Sequence, residues 1–371
     1  MMARREPTVL VVLGNRPQFI KHAPVERAFA QHAPGVRVVT VDTGQHYDYG
    51  LAGIFMDELE LGPPAHSLGV GSASHAEQLA RMLPPLEHVI REERAGCVLV
   101  YGDTNSTLGG ALAARSAGVP VAHVEAGLRS FDRSMPEELN RLLVDRIADD
   151  LYCPTPTARA NLAAEGIGDG VHVVGDVMAD IALLLADAAD SRWARWEARG
   201  LDARGYALVT AHRAANTTEE SLRSLVATLV SAPVPLVFPV HPRTEAQLTR
   251  LGLHVELAEA PHVMLLPPIG YLDTACLLRH ARCLATDSGG MQKEAYVHGI
   301  PCITMRDTTE WVETVEAGAN TLVHLSRRRI HGALEAAFAR DPGDLPLEGL
   351  PAVYGSGDSA RQIVEGITAR L

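Results

Sequence analysis

Short apolar runs alternate with longer amphipathic segments along the whole chain. The runs in the first half cover residues 9–13, 36–41, 98–101, 119–124, 151–153 and 171–174. Those in the second half cover residues 207–210, 235–240, 263–266, 283–286, 302–305 and 321–325. Continuous apolar runs between helix-length segments are typical of strands that are buried on both faces of a parallel sheet. The pattern therefore predicts an α/β protein with two Rossmann-like, doubly wound sheets.

The length of the chain favours two domains. Its 371 residues exceed the roughly 250–300 residues at which a single hydrophobic core stops growing. A new helix is predicted to begin near Val177, so we expect an N-terminal domain of residues 1–176 and a C-terminal domain of residues 177–357. Residues 358–371 are predicted to form a helix that packs back on the N-terminal domain. We expect the two domains to face each other across a polar cleft.

Composition excludes several classes of partner. The net charge of −12 and the pI near 5.7 argue against a nucleic-acid partner. No stretch approaches the roughly 20 apolar residues of a membrane span, and the apolar run after residue 8 is interpreted as a strand and not as a signal peptide. We therefore expect a cytoplasmic protein with no membrane partner.

The five cysteines are scattered without a C-x-x-C pair, so neither a metal site nor a disulfide framework is expected.

Charged residues and glycines follow the predicted strands in both halves. In open α/β sheets, ligands bind outside the carboxyl ends of the strands. The segments at these ends are residues 14–17, 42–46, 102–104, 125–129, 211–213 and 287–290. No G-x-G-x-x-G follows the first strand and no G-x-x-x-x-G-K-[ST] occurs, which disfavours a dinucleotide cofactor and Walker-type ATP hydrolysis. We expect no cofactor.

Two of these segments are suited to binding phosphate. Residues 286–290 (TDSGG) lie between an apolar run and a predicted helix, and the free N–H groups at a helix N-terminus bind anions. An ordinary helix N-cap is the alternative, because Asp and Ser are favoured there in any protein. Arg16 and Lys21 follow the first strand, where a guanidinium and an ammonium suit a diphosphate. Solvated surface charges are the alternative for this pair.

Three carboxylates and one histidine are candidates for acid/base chemistry. Asp103 and Glu125 terminate apolar strands, and carboxylates in a partly dry cleft can hold different protonation states. Glu137 is a weaker candidate, because an acid in the first helical turn can simply stabilise the helix or pair with Arg141. His212 ends a strand of the second half, where it could cap a loop or donate to a phosphate.

Taken together, these motifs resemble those of the non-hydrolysing UDP-N-acetylglucosamine 2-epimerases over essentially the whole chain. The shared motifs are residues 14–21 (GNRPQFIK), 43–46 (TGQH), 101–107 (YGDTNST), 123–129 (HVEAGLR), 135–138 (MPEE), 287–290 (DSGG) and 306–310 (RDTTE). The resemblance implies the glycosyltransferase-B architecture, in which two Rossmann-like domains flank a cleft. It implies that UDP leaves C1 to give 2-acetamidoglucal and is added again after C2 is protonated from the other face.

The resemblance also implies roles for individual residues. Asp103, Glu125 and Glu137 would be the acid/base and sugar-positioning carboxylates, and His212 would stabilise the departing diphosphate. The remaining substrate-binding residues would be Arg16, Lys21, Arg213, Ser288, Gly289, Gly290, Glu294 and Arg306. Gln45 and His46 would belong to a regulatory site for a second UDP-N-acetylglucosamine. An Arg-Gln pair of that site is missing from residues 70–75 (VGSASH), so we expect weak or absent activation. The resemblance also implies a homodimer, because relatives are commonly dimers.

The chain departs from the common family pattern in ways that leave the sugar open. Gln18 stands where many members have Glu, and residues 309–313 (TEWVE) stand where many have TERPE. These variants resemble the branch that includes UDP-2,3-diacetamido-glucuronic acid 2-epimerases. The first alternative function is therefore 2-epimerisation of UDP-2,3-diacetamido-glucuronic acid. A hydrolysing epimerase that releases N-acetylmannosamine and UDP, a glycosyltransferase and a non-catalytic UDP-sugar sensor are the others.

Overall fold

The computed structural model describes residues 6–44, 58–213 and 216–371, except for the side chains of Pro242 and Arg243. Gln45 and His46 lie outside the described residues, so the regulatory site stays a prediction. The chain divides into two compact units: Met1–Ile181 with Val353–Leu371, and Ala182–Ala352.

The first unit is built on a seven-stranded parallel sheet. Its strands, in chain order, are β1 (Thr8–Leu13), β2 (Arg37–Asp42), β3 (His66–Ser67), β4 (Cys97–Tyr101), β5 (Val121–Val124), β6 (Asp150–Cys153) and β7 (Val171–Val173). Their order across the sheet is β3-β2-β1-β4-β5-β6-β7. The helices are α1 (Arg16–His32), α2 (His75–Glu92), α3 (Asn105–Ala117), α4 (Pro136–Ile147), α5 (Pro156–Ala164) and α6 (Val177–Leu184). Helix α6, where the second domain is predicted to begin, contains the division between the units.

The second unit is built on a six-stranded parallel sheet of order β10-β9-β8-β11-β12-β13. Its strands are β8 (Ala207–Thr210), β9 (Leu236–Pro239), β10 (Val263–Leu266), β11 (Cys283–Thr286), β12 (Cys302–Thr304) and β13 (Asn320–Leu322). Its helices are α7 (Ala186–Asp190), α8 (Trp193–Glu197), α9 (Glu219–Val230), α10 (Pro242–Arg250), α11 (His254–Glu259), α12 (Tyr271–Arg279), α13 (Gly289–Val297), α14 (Val312–Glu316) and α15 (Arg327–Phe338). A short 3₁₀ helix (Pro342–Asp344) follows, and the last helix, α16 (Ser359–Arg370), belongs to the first unit.

The predicted fold class is confirmed. Each of the predicted apolar runs forms a strand, and the strand ends differ from the predicted ones by a few residues at most. Strand β3 is not among the predictions, because His66 and Ser67 are too few to show a period.

Each sheet is covered by apolar side chains. Along β1, Val9, Val11 and Leu13 pack into one core, whereas Leu10 and Val12 pack into the core on the opposite face. This alternation is the two-residue period of a strand that is buried on both sides. The second unit has a separate core that runs from the strands to α9 and α15.

In residues 6–44, 58–213 and 216–371, no helix combines the length and the apolar character needed to cross a bilayer.

Candidate active site

In each unit, several of the candidate residues follow the two strands at which the sheet reverses its order. In the first sheet the reversal lies between β1 and β4, and in the second it lies between β8 and β11. The loops after two such strands run in opposite directions and leave a crevice at their carboxyl ends. The segments that begin at Gly14, Gly102, Ala211 and Asp287 are these loops.

Asp103 follows β4 and is held by an arginine. Arg141 of α4 donates to the Asp103 carboxylate through Nη2 at 2.6 Å and Nε at 3.0 Å. The guanidinium is nearly buried, whereas 31% of the Asp103 side chain is exposed. The carboxylate therefore has a fixed orientation and remains accessible to a substrate.

Glu125 follows β5 and forms an ion pair with Lys21 of α1. The resemblance assigns Lys21 to the nucleotide end of the substrate, but here its ammonium lies on the Glu125 carboxylate. Gly102 makes room for the pair, because a Cβ at that position would lie 3.1 Å from Glu125 Oε2 and 3.4 Å from Lys21 Nζ. The positive φ of 69° at Glu125 is uncommon for a residue other than glycine and often marks functional sites.

The two neighbouring glutamates at the start of α4 differ in burial. Glu137 is exposed, whereas Glu138 is buried. Burial alone would raise the pKa of Glu138, but hydrogen bonds from Ser130 and Arg141 lower it. Glu138 therefore holds the loop before α4 and orients Arg141, a role that sequence reasoning missed. Its spacing from Arg141 and Val144, which share its buried helix face, is the signal that could have found it.

Arg16 is half-buried at the first position of α1. The turn before it requires glycine at position 14, because a Cβ there would lie 1.9 Å from Ser106 Oγ. Arg16 thus begins its helix beside the start of α3.

In the second unit, residues 288–290 form a helix N-terminus. Ser288 is the N-cap of α13, and its hydroxyl accepts from the Met291 N–H at 3.5 Å. Gly289 and Gly290 are the first helical residues and are half-buried. The Arg213 guanidinium reaches the same place, because its Nη2 would lie 3.9 Å from a Cβ on Gly289. A helix N-terminus and an arginine therefore converge, which is an arrangement suited to phosphate.

Asp287 organises the loop after β8. It is fully buried and accepts from the backbone N–H groups of His212 at 3.1 Å and Arg213 at 3.0 Å. The Asn216 side chain also donates to it, at 3.0 Å. The sequence places Asp287 in the candidate phosphate-binding segment, but nothing local indicates which distant loop it binds.

His212 is half-buried and stacks on a second histidine. Its side chain is 39% accessible, and its ring centroid lies 5.3 Å from that of His241. His212 is therefore accessible to a ligand at the carboxyl end of β8.

Glu294 is buried and Arg306 is half-buried. Arg306 donates to both oxygens of Glu310 at 2.9 Å. Burial alone would raise the pKa of Glu310, but the hydrogen bonds and charge of Arg306, with the charge of Arg213, lower it to about 2. Glu294 lies near Tyr271, whose pKa is raised by burial and by the Glu294 carboxylate.

Within the part of the chain that the structure describes, no three His, Cys, Asp or Glu side chains are grouped so that they could hold a metal ion.

The sequence of the chain matches a family model described as UDP-N-acetylglucosamine 2-epimerase over residues 28–368. A UDP-N-acetylglucosamine 2-epimerase homolog from Methanococcus maripaludis is 42% identical over 96% of this chain and 98% of its own. The UDP-2,3-diacetamido-2,3-dideoxy-D-glucuronate 2-epimerase of Pseudomonas aeruginosa is also 42% identical, with the same coverage.

The fold is similar to that of solved structures of the same kind. The UDP-GlcNAc 2-epimerase of Methanocaldococcus jannaschii in complex with UDP-GlcNAc and UDP matches with a TM-score of 0.89. The two sequences are 37% identical, and the match covers 98% of this chain and 99% of the other.

Proposed function

The chain belongs to the UDP-N-acetylglucosamine 2-epimerase family, and on that premise we propose that it interconverts UDP-GlcNAc and UDP-ManNAc without hydrolysing them. The convergence of Arg213 with the N-terminus of α13 is the observation that carries the proposal. It offers a guanidinium and free N–H groups to the diphosphate. UDP is the leaving group, so its negative charge grows as its bond to the sugar breaks, and such donors bind the developing charge most strongly.

The reaction balances without a redox cofactor. In the first half, a base removes the C2 proton and the bond from C1 to the UDP oxygen breaks, which leaves UDP and 2-acetamidoglucal. In the second half, an acid protonates C2 from the opposite face and the UDP oxygen bonds to C1 again. Two protonatable groups on opposite faces of the sugar are therefore required.

Asp103, Glu125 and Glu137 are the proposed carboxylates of this chemistry. Asp103 is oriented by Arg141 and Glu125 by Lys21, so both groups are fixed before a substrate arrives. Glu137 is exposed and free of the backbone contacts that hold Glu138. We assign the proton transfers and the positioning of the sugar to these three groups together.

The other predicted residues serve the leaving group and the nucleotide in this proposal. His212 donates to the departing diphosphate, next to Arg213. Ser288, Gly289 and Gly290 bind phosphate through the helix N-terminus, and Glu294 accepts from the ribose hydroxyls. Arg16, Lys21 and Arg306 supply the remaining positive charge.

A second substrate is supported by one relative. The P. aeruginosa relative, whose name specifies UDP-2,3-diacetamido-glucuronate, is 42% identical, which is the same identity as that of the UDP-N-acetylglucosamine 2-epimerase homolog of M. maripaludis. The chemistry at C1 and C2 would be the same with either sugar, so the two candidates differ only in the groups at C3 and C5.

Incubation with each UDP-sugar in deuterated water tests the proposal by proton NMR. Epimerisation through the glucal gives both epimers with deuterium at C2, and the ratio of kcat/KM values identifies the preferred sugar. Free N-acetylmannosamine with UDP would instead indicate a hydrolysing enzyme. If neither sugar exchanged its C2 hydrogen, the chain would not be an epimerase of these substrates.

We also propose a homodimer, which the α4 surface supports. Leu139 and Leu143 lie one turn apart on α4 and are 49% and 43% exposed, and Leu112 of the adjacent α3 is 37% exposed. Exposed apolar side chains on two adjacent helices are typical of a subunit interface. Light scattering with size-exclusion chromatography should give twice the 39.8 kDa chain mass, and Leu143→Asp should give the monomer. A wild-type monomer at assay concentration would contradict this assembly.

A cytoplasmic location completes the proposal. The five cysteines are free and buried, which suits a compartment that keeps thiols reduced. Immunoblotting of fractionated cells would test the location.

A further inference from the structure

The turn that presents Asp103 is held by three side chains from three different elements. The carbonyls of Tyr101, Gly102 and Asp103 are consecutive. Each accepts a hydrogen bond of 2.8 Å, from Gln18 of α1, His123 of β5 and Asn140 of α4 respectively.

We propose that Gln18, His123 and Asn140 are positioning residues that fix the turn at Asp103 and so set the place of its carboxylate for catalysis. We refer to these three residues as the carbonyl clamp. The proposal rests on the epimerase function proposed above. It explains why these three polar side chains are buried next to the turn.

Gln18 is the most constrained member of the clamp. Its side chain is 1% exposed, and its Oε1 accepts from the Gly14 N–H at 2.8 Å. Its Nε2 donates to the Tyr101 carbonyl and lies 3.0 Å from the hydroxyls of Thr104 and Thr107. The orientation of the amide is thereby determined, because a backbone N–H can only donate and a carbonyl can only accept. Gln18 thus joins the loop after β1 to the loop after β4.

His123 extends the clamp into a buried ionic network. Its Nε2 donates to the Gly102 carbonyl, and its Nδ1 lies 2.8 Å from Asp145 Oδ1. Arg129 donates to the other oxygen of Asp145 at 2.7 Å. His123 and Asp145 are fully buried, so the ring cannot turn away from Gly102.

Asn140 completes the clamp from the neighbouring helix. Its Nδ2 donates to the Asp103 carbonyl and, at 3.2 Å, to Asn105 Oδ1. Asn140 precedes Arg141, which binds the Asp103 carboxylate. Adjacent residues of α4 therefore hold the backbone and the side chain of the same aspartate.

The clamp is needed because the turn has a conformation that few residues favour. Gly102 has a φ of 64°, and its N–H is also tied, to the Val124 carbonyl at 2.9 Å. Displacement of a catalytic group by about 1 Å can lower the rate about 100-fold. We therefore expect loss of one clamp bond to reduce kcat and to leave the binding of UDP unchanged.

Two substitutions at Gln18 test the clamp. Gln18→Met keeps the volume and removes the hydrogen bonds, so kcat should fall about 10- to 100-fold at every pH. Gln18→Glu keeps the acceptor for Gly14, but the other oxygen can donate to Tyr101 only when the carboxyl is protonated. Burial and the nearby Asp103 and Glu125 favour the neutral form, whereas Lys21 on the same helix opposes it. The kcat of Gln18→Glu relative to wild type should therefore fall as the pH rises.

The matched control is Gln362→Glu on α16. Gln362 donates to the Val174 carbonyl at 3.3 Å, so the same exchange of amide for carboxyl is made outside the clamp. Its kcat relative to wild type should not change with pH. Circular dichroism and UDP titration calorimetry on all the variants separate a positioning effect from unfolding.

Asn140→Asp provides an independent test from a second element. It places a carboxylate against the Asp103 carbonyl, so its relative kcat should also fall with rising pH. A folded Gln18→Met variant with wild-type kcat, or a Gln18→Glu variant whose relative kcat does not depend on pH, would overturn the clamp. If the wild-type protein itself fails to exchange the C2 hydrogen, the proposed function is wrong, which is a different result.

Discussion

At the scale of single residues, the candidate carboxylates differ in what holds them. Asp103 is bound by Arg141 and keeps an accessible edge, whereas Glu125 is nearly buried against Lys21. A buried carboxylate that is paired with a cation is held in place, and a partly exposed one can contact a substrate directly. Asp103 is therefore the residue whose substitution should affect chemistry more than folding.

We expect Asp103→Asn to lower kcat by about 10³-fold, the middle of the range for acid/base groups. The amide keeps the size of the side chain but cannot exchange a proton with C2. UDP affinity should stay near the wild-type value, because the diphosphate groups are bound elsewhere. NMR turnover assays and calorimetry with UDP measure the two quantities. A variant with wild-type kcat would remove Asp103 from the mechanism.

Glu310 links stability to pH. Its pKa in the folded protein is about 2, below the ordinary value of 4.5, because Arg306 and Arg213 favour the carboxylate. A lowered folded pKa contributes stability above pH 4.5, and this stability is lost as the pH falls from 4.5 towards 2. The contribution is about 3 kcal/mol.

Urea unfolding followed at several pH values tests this linkage. The wild type should lose more unfolding free energy than Glu310→Gln as the medium is acidified. Glu335→Gln, an exposed glutamate of the same unit, should follow the wild type. Parallel pH curves for wild type and Glu310→Gln would contradict the link.

At the scale of elements, the N-terminus of α13 has two separable roles. Ser288 caps the helix, and in our proposal it also binds the diphosphate. Thr218 caps α9 of the same unit by the same kind of bond, to the Ser221 N–H. Removal of either cap should cost about 1 kcal/mol of stability.

Ser288→Ala should therefore lower both stability and UDP affinity, whereas Thr218→Ala should lower stability alone. The loss of one hydrogen bond to a charged phosphate corresponds to about 1.5–3 kcal/mol, or roughly a 10- to 150-fold weaker Kd. Chemical unfolding and calorimetry with UDP on the two variants measure this difference. Equal UDP affinity in both variants would argue against a phosphate site at this helix.

Elements were more predictable from the sequence than the contacts between them. The buried strands could be predicted because continuous apolar runs leave a local signal, and β3 could not because His66 and Ser67 leave none. Asp103 and Glu125 could be selected because a charge at the end of an apolar strand is unusual. The bonds that Asp287 makes to the loop after β8, and those of Gln18 to the loop after β4, join residues far apart in sequence. Neither follows from local propensity.

At the scale of the whole molecule, the first unit includes the last helix, α16, whose apolar side chains form part of its core. Ile363, Val364 and Ile367 of α16 pack in the same core as Val25 and Phe29 of α1. The core of the second unit contains no residue after position 352 among those that the structure describes. The two units therefore depend differently on the last helix.

Ile363→Asp should destabilise the first unit and spare the second. An unpaired carboxylate in an apolar core costs several kcal/mol, and Ala369→Asp, on the exposed side of the same helix, is the matched control. Hydrogen exchange should then show lost protection in β1 and β4 and retained protection in β8 and β11. Because the proposed phosphate site of α13 belongs to the second unit, residual UDP binding should accompany the loss of turnover. Equal loss of protection in both sheets would mean that the two units fold as a single cooperative unit and would contradict this expectation.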